Sequence, residues 1–231
     1  MSVRWLVDPE TNAALWRDLS DMPLRLVSIP GQWVADLGGG NGNFAAPLVT
    51  KGARIVTVDV DQSALKGAKP PICAASGSLT SLPIRDGSLD AATARAVLHH
   101  VPDTIDHALR EARRVVRPGG LVLIQEPTSG NFLANAARRL FPTERHEAHE
   151  RPLPLDAYVD AVRHEFDVLE VVPCFLLSYL LPHVVGRIPP RRRAVPRAVA
   201  RILAAWDRRF LAALPRLRHR AAYVSILARR R

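Results

Sequence analysis

Two acids and a run of glycines are the residues in this chain best spaced for chemistry. In VADLGGGNGNF, residues 34–44, an apolar strand runs into Asp36, and glycines follow at Gly38, Gly39, Gly40 and Gly42. Glycine loses more conformational freedom on folding than any other residue, so such a loop implies a very tight turn or a ligand pressed against the backbone. Asp59, in VTVDVD, follows Asp36 at close to the roughly 20-residue spacing from which an acid accepts hydrogen bonds from ribose hydroxyls. Asp61 reads as a solvated helix cap. His99 and His100 follow the strand SLDAATARAV. A neutral imidazole, with a pKa near ~6.5, can take a proton there; the alternative is a packing or capping pair. His146 and His149, interleaved with Glu147 and Glu150, carry metal-ligand donor types. Spaced polar residues of this kind are more often a solvated surface, and no metal is expected. Glu126 ends a strand and faces either substrate or a structural partner.

The elements that must position these residues alternate. QWVADL and ARIVTVDV read as buried strands, short and rich in β-branched residues. NFAAPLVTKG between them reads as a short helix, with Pro47 in its first turn and Gly52 past its end. SLDAATARAV is a further strand, and DTIDHALREARRVV a helix with Asp103 as its N-cap. RPGG stops that helix before the strand LVLIQEP. Strands alternating with helices predict an α/β fold with a doubly wound, mostly parallel Rossmann-like sheet. In such sheets ligands sit at the carboxyl ends of the strands, where both acids lie. Further on, NAARRLF and LDAYVDAVRHEF read as helices and DVLEVVPCFLL as a strand. The expected organisation is a single domain over 1–231. Residues 30–127 form its core, 128–215 a helical C-terminal insertion or lid over the substrate, and 221–228 a final strand.

Two nucleotide cofactors suit an acid–glycine–acid plan. Gly40, Gly42 and Ala45 satisfy the dinucleotide pattern G-x-G-x-x-G/A, which leaves a nicotinamide-dependent reductase as one reading. The acid at the strand exit favours S-adenosyl-L-methionine instead. That molecule carries an ammonium group for Asp36 to meet, whereas a pyrophosphate would meet a like charge.

Four ordered pieces then carry a resemblance: VADLGGGNG, VTVDVDQSAL, SLTSLPIRDGSLDAATARAVLHHV and EARRVVRPGGLVLIQE. Over about Val34 to Pro127 the chain resembles the class I S-adenosylmethionine-dependent methyltransferases. It is most similar to their small-molecule branch, which includes the ubiquinone and menaquinone methyltransferases. The resemblance implies methyl transfer to a small-molecule acceptor, here expected at oxygen. It implies that Asp36, Gly38, Gly40 and Gly42 line the methionine and ribose, and that Asp59 binds the ribose hydroxyls. Val60 packs on the adenine, Ser78 and Leu79 sit at its edge, and the backbone near Arg95 faces the methionine ammonium. Many relatives carry Asp where this chain has Ser78, so the adenine contact is expected to pass to a backbone amide or a water. ATARAV stands where amino-group methyltransferases of the Asn/Asp-Pro-Pro-aromatic type carry that motif, which argues against their chemistry. A non-catalytic cofactor-binding relative is the remaining alternative.

The composition narrows the partners. The 231 residues carry a net charge of +10, yet from Arg187 onward 14 arginines face one acid, Asp207, giving +13 and leaving −3 for residues 1–186. No aromatic interleaving accompanies these arginines, so nucleic-acid binding is not expected. Helical projection from Val195 to Leu214 groups Val195, Val199, Ile202, Leu203, Trp206 and Phe210 on one face, with Arg197, Arg201 and Arg208 nearly opposite. Packed with its apolar face inward, this helix would show a cationic stripe to an anionic membrane or an acidic substrate. The apolar CFLLSYLLP suggests a lipid-like or polycyclic acceptor. Pro173 and Pro182 keep that region below the ~20 apolar residues of a membrane span. Cys73 and Cys174 are far apart with no metal spacing, and no signal-like apolar core precedes Asp8, so a reduced cytoplasmic setting is expected, with peripheral contact at the inner membrane face.

Overall fold

The computed structural model describes residues 19, 21–140, 151–180 and 194–231. Its centre is a sheet of seven strands: β1 (Trp33–Leu37), β2 (Arg54–Asp59), β3 (Cys73–Ser76), β4 (Leu89–Arg95), β5 (Val116–Pro127), β6 (Phe166–Cys174) and β7 (Tyr223–Arg230). Their order is β3-β2-β1-β4-β5-β7-β6. The first five strands are mutually parallel, and β7 runs antiparallel between β5 and β6. The helices are α1 (Ala46–Val49), α2 (Gln62–Leu65), α3 (Ile105–Val115), α4 (Phe132–Leu140), α5 (Leu155–Glu165) and α6 (Ala194–Ala213).

Alternation along the central strands builds two cores, because successive side chains leave a strand on opposite faces. Ala35, Leu37, Ala92, Ala94, Val122 and Ile124 face α3 and α5. Val34, Ala91, Leu123 and Leu227 face the other way, onto Leu48 of α1 and the turn Met22–Leu26. Strands covered on both faces read as nearly continuous apolar runs, and that is why β1, β2 and β5 are legible from sequence.

Several expectations shift. β3 carries no strand signal in the sequence: CAAS is largely exposed and lacks β-branched residues, and its pairing with β2 alone makes it a strand. β5 begins at Val116, so RPGG ends α3 but lies inside the strand, at a register shift against β4. A Cβ on Gly120 would fall 2.6 Å from the Asp90 carbonyl oxygen, which is why glycine stands at this shift. Asp103 does not cap α3. The turn Pro102–Thr104 intervenes, Thr104 occupies the cap position without a side-chain bond, and Asp103 pairs with Arg151 instead. α5 and β6 are built into the sheet side of the molecule, so the stretch 128–215 is not wholly a lid. Cys73 and Cys174 stand on strands at opposite edges of the sheet, so they do not meet.

The tail helix α6 is rotated from the expected orientation. Ala204, Asp207 and Leu211 face inward, while Val199, Ile202, Trp206 and Phe210 are exposed. The buried acid sets the rotation. The Asp207 carboxylate accepts from the backbone amides of Leu176, Leu177 and Ser178 and from the Ser178 hydroxyl, so the turn after β6 is tied to this one helix face. Val195 and Arg197 lie among side chains outside the described residues, as do Arg191, Arg192 and Arg193.

Candidate active site

The order of strands reverses between β1 and β4. The chain runs outward from β1 to β3, then returns to β4 on the other side of β1. In open α/β sheets the carboxyl ends of the strands at such a reversal are where ligands bind, and the glycine loop follows β1 there.

Gly38, Gly40 and Gly42 all have positive φ, at 66°, 53° and 75°, a region nearly closed to other L residues. Crowding adds to this at Gly38, where a Cβ would fall 2.2 Å from Val97 Cγ2. Gly39, singled out by no pattern, is confined by packing alone: its Cβ would lie 2.3 Å from the Asp36 carboxyl. Side-chain-free backbone therefore wraps closely around the acid. The loop does not open a long helix, since α1 spans only Ala46–Val49. So short a helix gives an anion little of a helix-terminal seat.

Asp36 is 1% exposed, and its Oδ2 has no hydrogen-bond partner. Burial pushes its pKa up to about 7, opposed chiefly by the charge of Arg95. Asp36 pairs in register with Thr93, so Arg95, two residues further along β4, points to the same face of the sheet. The Arg95 guanidinium lies over the Phe44 ring, 4.2 Å from its centroid. Burial lowers its pKa, opposed by Tyr223 and Asp36. Ala96 then takes a positive φ of 52° and donates its amide to Gln125, turning the chain sharply out of β4.

Asp59 closes the other side of the loop. Its Oδ2 accepts from the Gly40 amide at 2.9 Å and its Oδ1 from the Asp61 amide at 2.9 Å. A carboxylate has about four acceptor positions, so both oxygens keep capacity for a ligand. Asp61 caps α2 as expected, accepting from the Ser63 and Ala64 amides. Val60 beside them is 69% exposed. The Gly77 amide donates to the Asp59 carbonyl, bringing Ser78 and Leu79 to this end of the sheet. The Ser78 hydroxyl is engaged locally, accepting from the Thr80 amide and lying 3.0 Å from the Thr80 hydroxyl. Leu79 is half-buried against the α3-side core.

The two histidines separate in role. His99 is buried and its Nδ1 lies 2.8 Å from Glu126 Oε2. Glu126, fully buried, also accepts from the amides of Val97, Leu98 and His99. Glu126 anchors the turn Leu98–His100 and fixes one ring nitrogen of His99. His100, half-buried, stacks on His99 with ring centroids 4.3 Å apart. Among the described residues no cluster of three His, Cys, Asp or Glu could hold a metal. His146, His149, Glu147 and Glu150 lie outside the described residues. Phe44 and Thr57, whose hydroxyl donates to the Gly40 carbonyl, complete the loop's surroundings and left no signal in the sequence. This end of the sheet thus brings together the buried Asp36 carboxyl, the Arg95 guanidinium, the Asp59 carboxylate and the His99–Glu126 pair.

The sheet order and its antiparallel seventh strand are those of the class I S-adenosylmethionine-dependent methyltransferases, and the fold is theirs. Residues 35–124 match the family described as "Methyltransferase domain". A relative named demethylmenaquinone methyltransferase, from Mycobacterium marinum, is 34% identical over 140 residues, covering 60% of this chain and 57% of that protein. A namesake from Streptomyces avermitilis is 37% identical over 100 residues, 42% of this chain and 43% of that protein. The matches therefore span well under two thirds of these relatives' lengths. Among solved structures, the [4+2]-cyclase SpnF superposes with a TM-score of 0.64 at 19% identity, over 92% of this chain and 80% of that one. At such identity the likeness is one of fold, and a shared fold does not fix the chemistry.

Proposed function

We propose that this protein transfers a methyl group from S-adenosyl-L-methionine to a small, lipid-like or polycyclic acceptor, at oxygen. The observation that carries the reading is Asp36 Oδ2, a buried carboxylate oxygen without a partner, wrapped by glycine backbone at the sheet's switch point. Such an atom calls for a bound cation. A dinucleotide pyrophosphate would bring a like charge to it and find only the four-residue α1 behind the loop. The methyltransferase domain match over 35–124 supports the same choice.

In this reading Asp36 receives the α-ammonium of the cofactor. The Arg95 backbone borders that group, and the Arg95 guanidinium offers the counter-charge for the neighbouring carboxylate. Gly38, Gly40 and Gly42 let the backbone pass beneath the methionine and ribose. Asp59 accepts from the ribose hydroxyls. Val60 and Leu79 flank the adenine, with the backbone around Ser78 at its edge because the serine hydroxyl is already engaged. The bound cofactor supplies an activated methyl on a sulfonium. The protein's task is then to align the acceptor and remove one proton. Glu126 holds His99 Nδ1 as the donor, which leaves Nε2 as an acceptor, and His99 or His100 takes the proton from the acceptor hydroxyl. The names of the demethylmenaquinone methyltransferases support a lipid-like acceptor. A cytoplasmic setting with peripheral membrane contact belongs to this reading, and among the described residues no helix is long and apolar enough to cross a membrane.

Incubation with cofactor carrying a deuterated methyl group, against hydroxylated quinols and polycyclic phenols, tests the reading by mass spectrometry. A mass gain on an acceptor is expected, and no transfer to any of them would favour a non-catalytic relative. With the acceptor found, His99→Gln lowers kcat by at least about 100-fold, the lower range for loss of a general base. Its affinity for S-adenosylhomocysteine stays within about threefold of wild type, since the loop and Asp59 lie across the crevice. Unchanged kcat would return His99 to a packing role.

A further inference from the structure

The outer face of α6 is unlike the rest of the described surface. Ile202, Trp206 and Phe210 are 56%, 51% and 41% exposed and follow one another at helical spacing, with Val199 and Leu214 exposed at the ends of the same stripe. Trp206 and Phe210 stack with ring centroids 5.4 Å apart, so the two large rings form one apolar block facing out. Contiguous exposed apolar surface of this kind marks an interaction site. The rotation that exposes it is fixed from behind by four hydrogen bonds to Asp207.

The charge that α6 and the turn after it carry is of one sign, with Asp156 of α5 meeting that turn at His219. Arg201, Arg208 and Arg209 on α6, and Arg216, Arg218 and Arg220 in the turn Pro215–Arg220, are all exposed. Asp207 is the only acid from residue 194 to the end of the chain, and it is buried. Arg209 borders the stripe on the helix, three residues from Trp206, and Arg201 lies further round. We propose that α6 lies in the plane of an anionic lipid surface, with Ile202, Trp206 and Phe210 in the acyl boundary and the arginines at the headgroups. This is the pattern of an interfacial helix. A nucleic acid would engage the arginines but leave the aliphatic Val199, Ile202 and Leu214 without partners. The hydrocarbon edge of a bilayer takes both. The proposal stands on the surface of α6 alone and does not require methyl transfer.

Co-sedimentation with phosphatidylcholine vesicles, with and without phosphatidylglycerol, tests it on the full chain. Each cation near an anionic surface contributes about fivefold. The wild type should therefore partition at least about tenfold better onto the anionic vesicles at low salt, and less as the Debye length shortens. Arg201→Gln, Arg209→Gln and Arg218→Gln together remove that preference. Ile202→Gln, Trp206→Gln and Phe210→Gln together remove binding while leaving the far-UV spectrum and melting temperature unchanged, because all three side chains are exposed. A wild type that stays in solution with anionic vesicles at low salt overturns the proposal. Binding that survives loss of the stripe also overturns it, because charge alone would then suffice. A concentration-dependent mass in solution that the stripe variant loses would assign the face to a second copy and overturn it as well.

Discussion

Binding of S-adenosylhomocysteine tightens about tenfold between pH 6 and pH 8, and Asp36→Asn removes that dependence. The Asp36 pKa is raised to about 7 because its carboxyl is buried, with Arg95 only partly offsetting the burial. A carboxyl with that pKa is about one-tenth ionised at pH 6 and about nine-tenths at pH 8. The α-ammonium of the ligand is attracted to the ionised form, so affinity rises through this window. The sign for the ligand-free fold is opposite. A carboxyl whose folded pKa lies above its unfolded value stabilises the fold below about pH 4 and loses that contribution as pH rises through about 7. Ligand-induced stabilisation is accordingly larger at pH 8 than at pH 6. At pH 8, Asp36→Asn loses a charged hydrogen bond worth roughly 1.5–3 kcal/mol, or about 10- to 150-fold in affinity. Calorimetric titration across pH 6 to 8 measures both. A flat profile for the wild type would place the ammonium away from Asp36.

Asp59→Ala weakens S-adenosylhomocysteine by at least about tenfold without unfolding the protein. Charged hydrogen bonds to two ribose hydroxyls contribute roughly 1.5–3 kcal/mol each, and even the lower value of one bond is about a decade. Asp59 also holds the amides of Gly40 and Asp61, so part of the loss reflects a loosened loop. The 2′-deoxy analogue separates the two contributions. If Asp59 reads the ribose, the wild type prefers S-adenosylhomocysteine over the analogue and Asp59→Ala binds both alike. Equal binding of both by the wild type would leave Asp59 as a brace for the loop alone.

What the sequence reveals follows from where its constraints are local. The glycine loop and both strand-end acids were legible because positive φ demands glycine and because acids are rare at the ends of buried apolar strands. β3 was hidden because CAAS has neither period nor propensity and is defined by its neighbour β2. The Asp103 cap failed because Pro102 starts a separate turn and an ion pair with Arg151 competes for the carboxylate. Hydrophobic periodicity alone turns α6 the wrong way, since Ile202, Trp206 and Phe210 are exposed. A single buried acid tied to four donors outweighs that apolar stripe, and hydrophobic periodicity does not register such bonds. The His99–Glu126 contact joins residues 27 positions apart across two strands, so it appears only once β4 and β5 are in register.

The central claim is that the crevice beside β1 takes a sulfonium cofactor with an amino-acid end. Parallel calorimetric titrations of the full chain at pH 8 with S-adenosylmethionine, S-adenosylhomocysteine and NADH test it most directly. Both adenosyl ligands are expected to bind in the micromolar range with one site per chain, and NADH to give no heat of binding at the same concentrations. Tight NADH binding with no response to either adenosyl ligand would contradict the account.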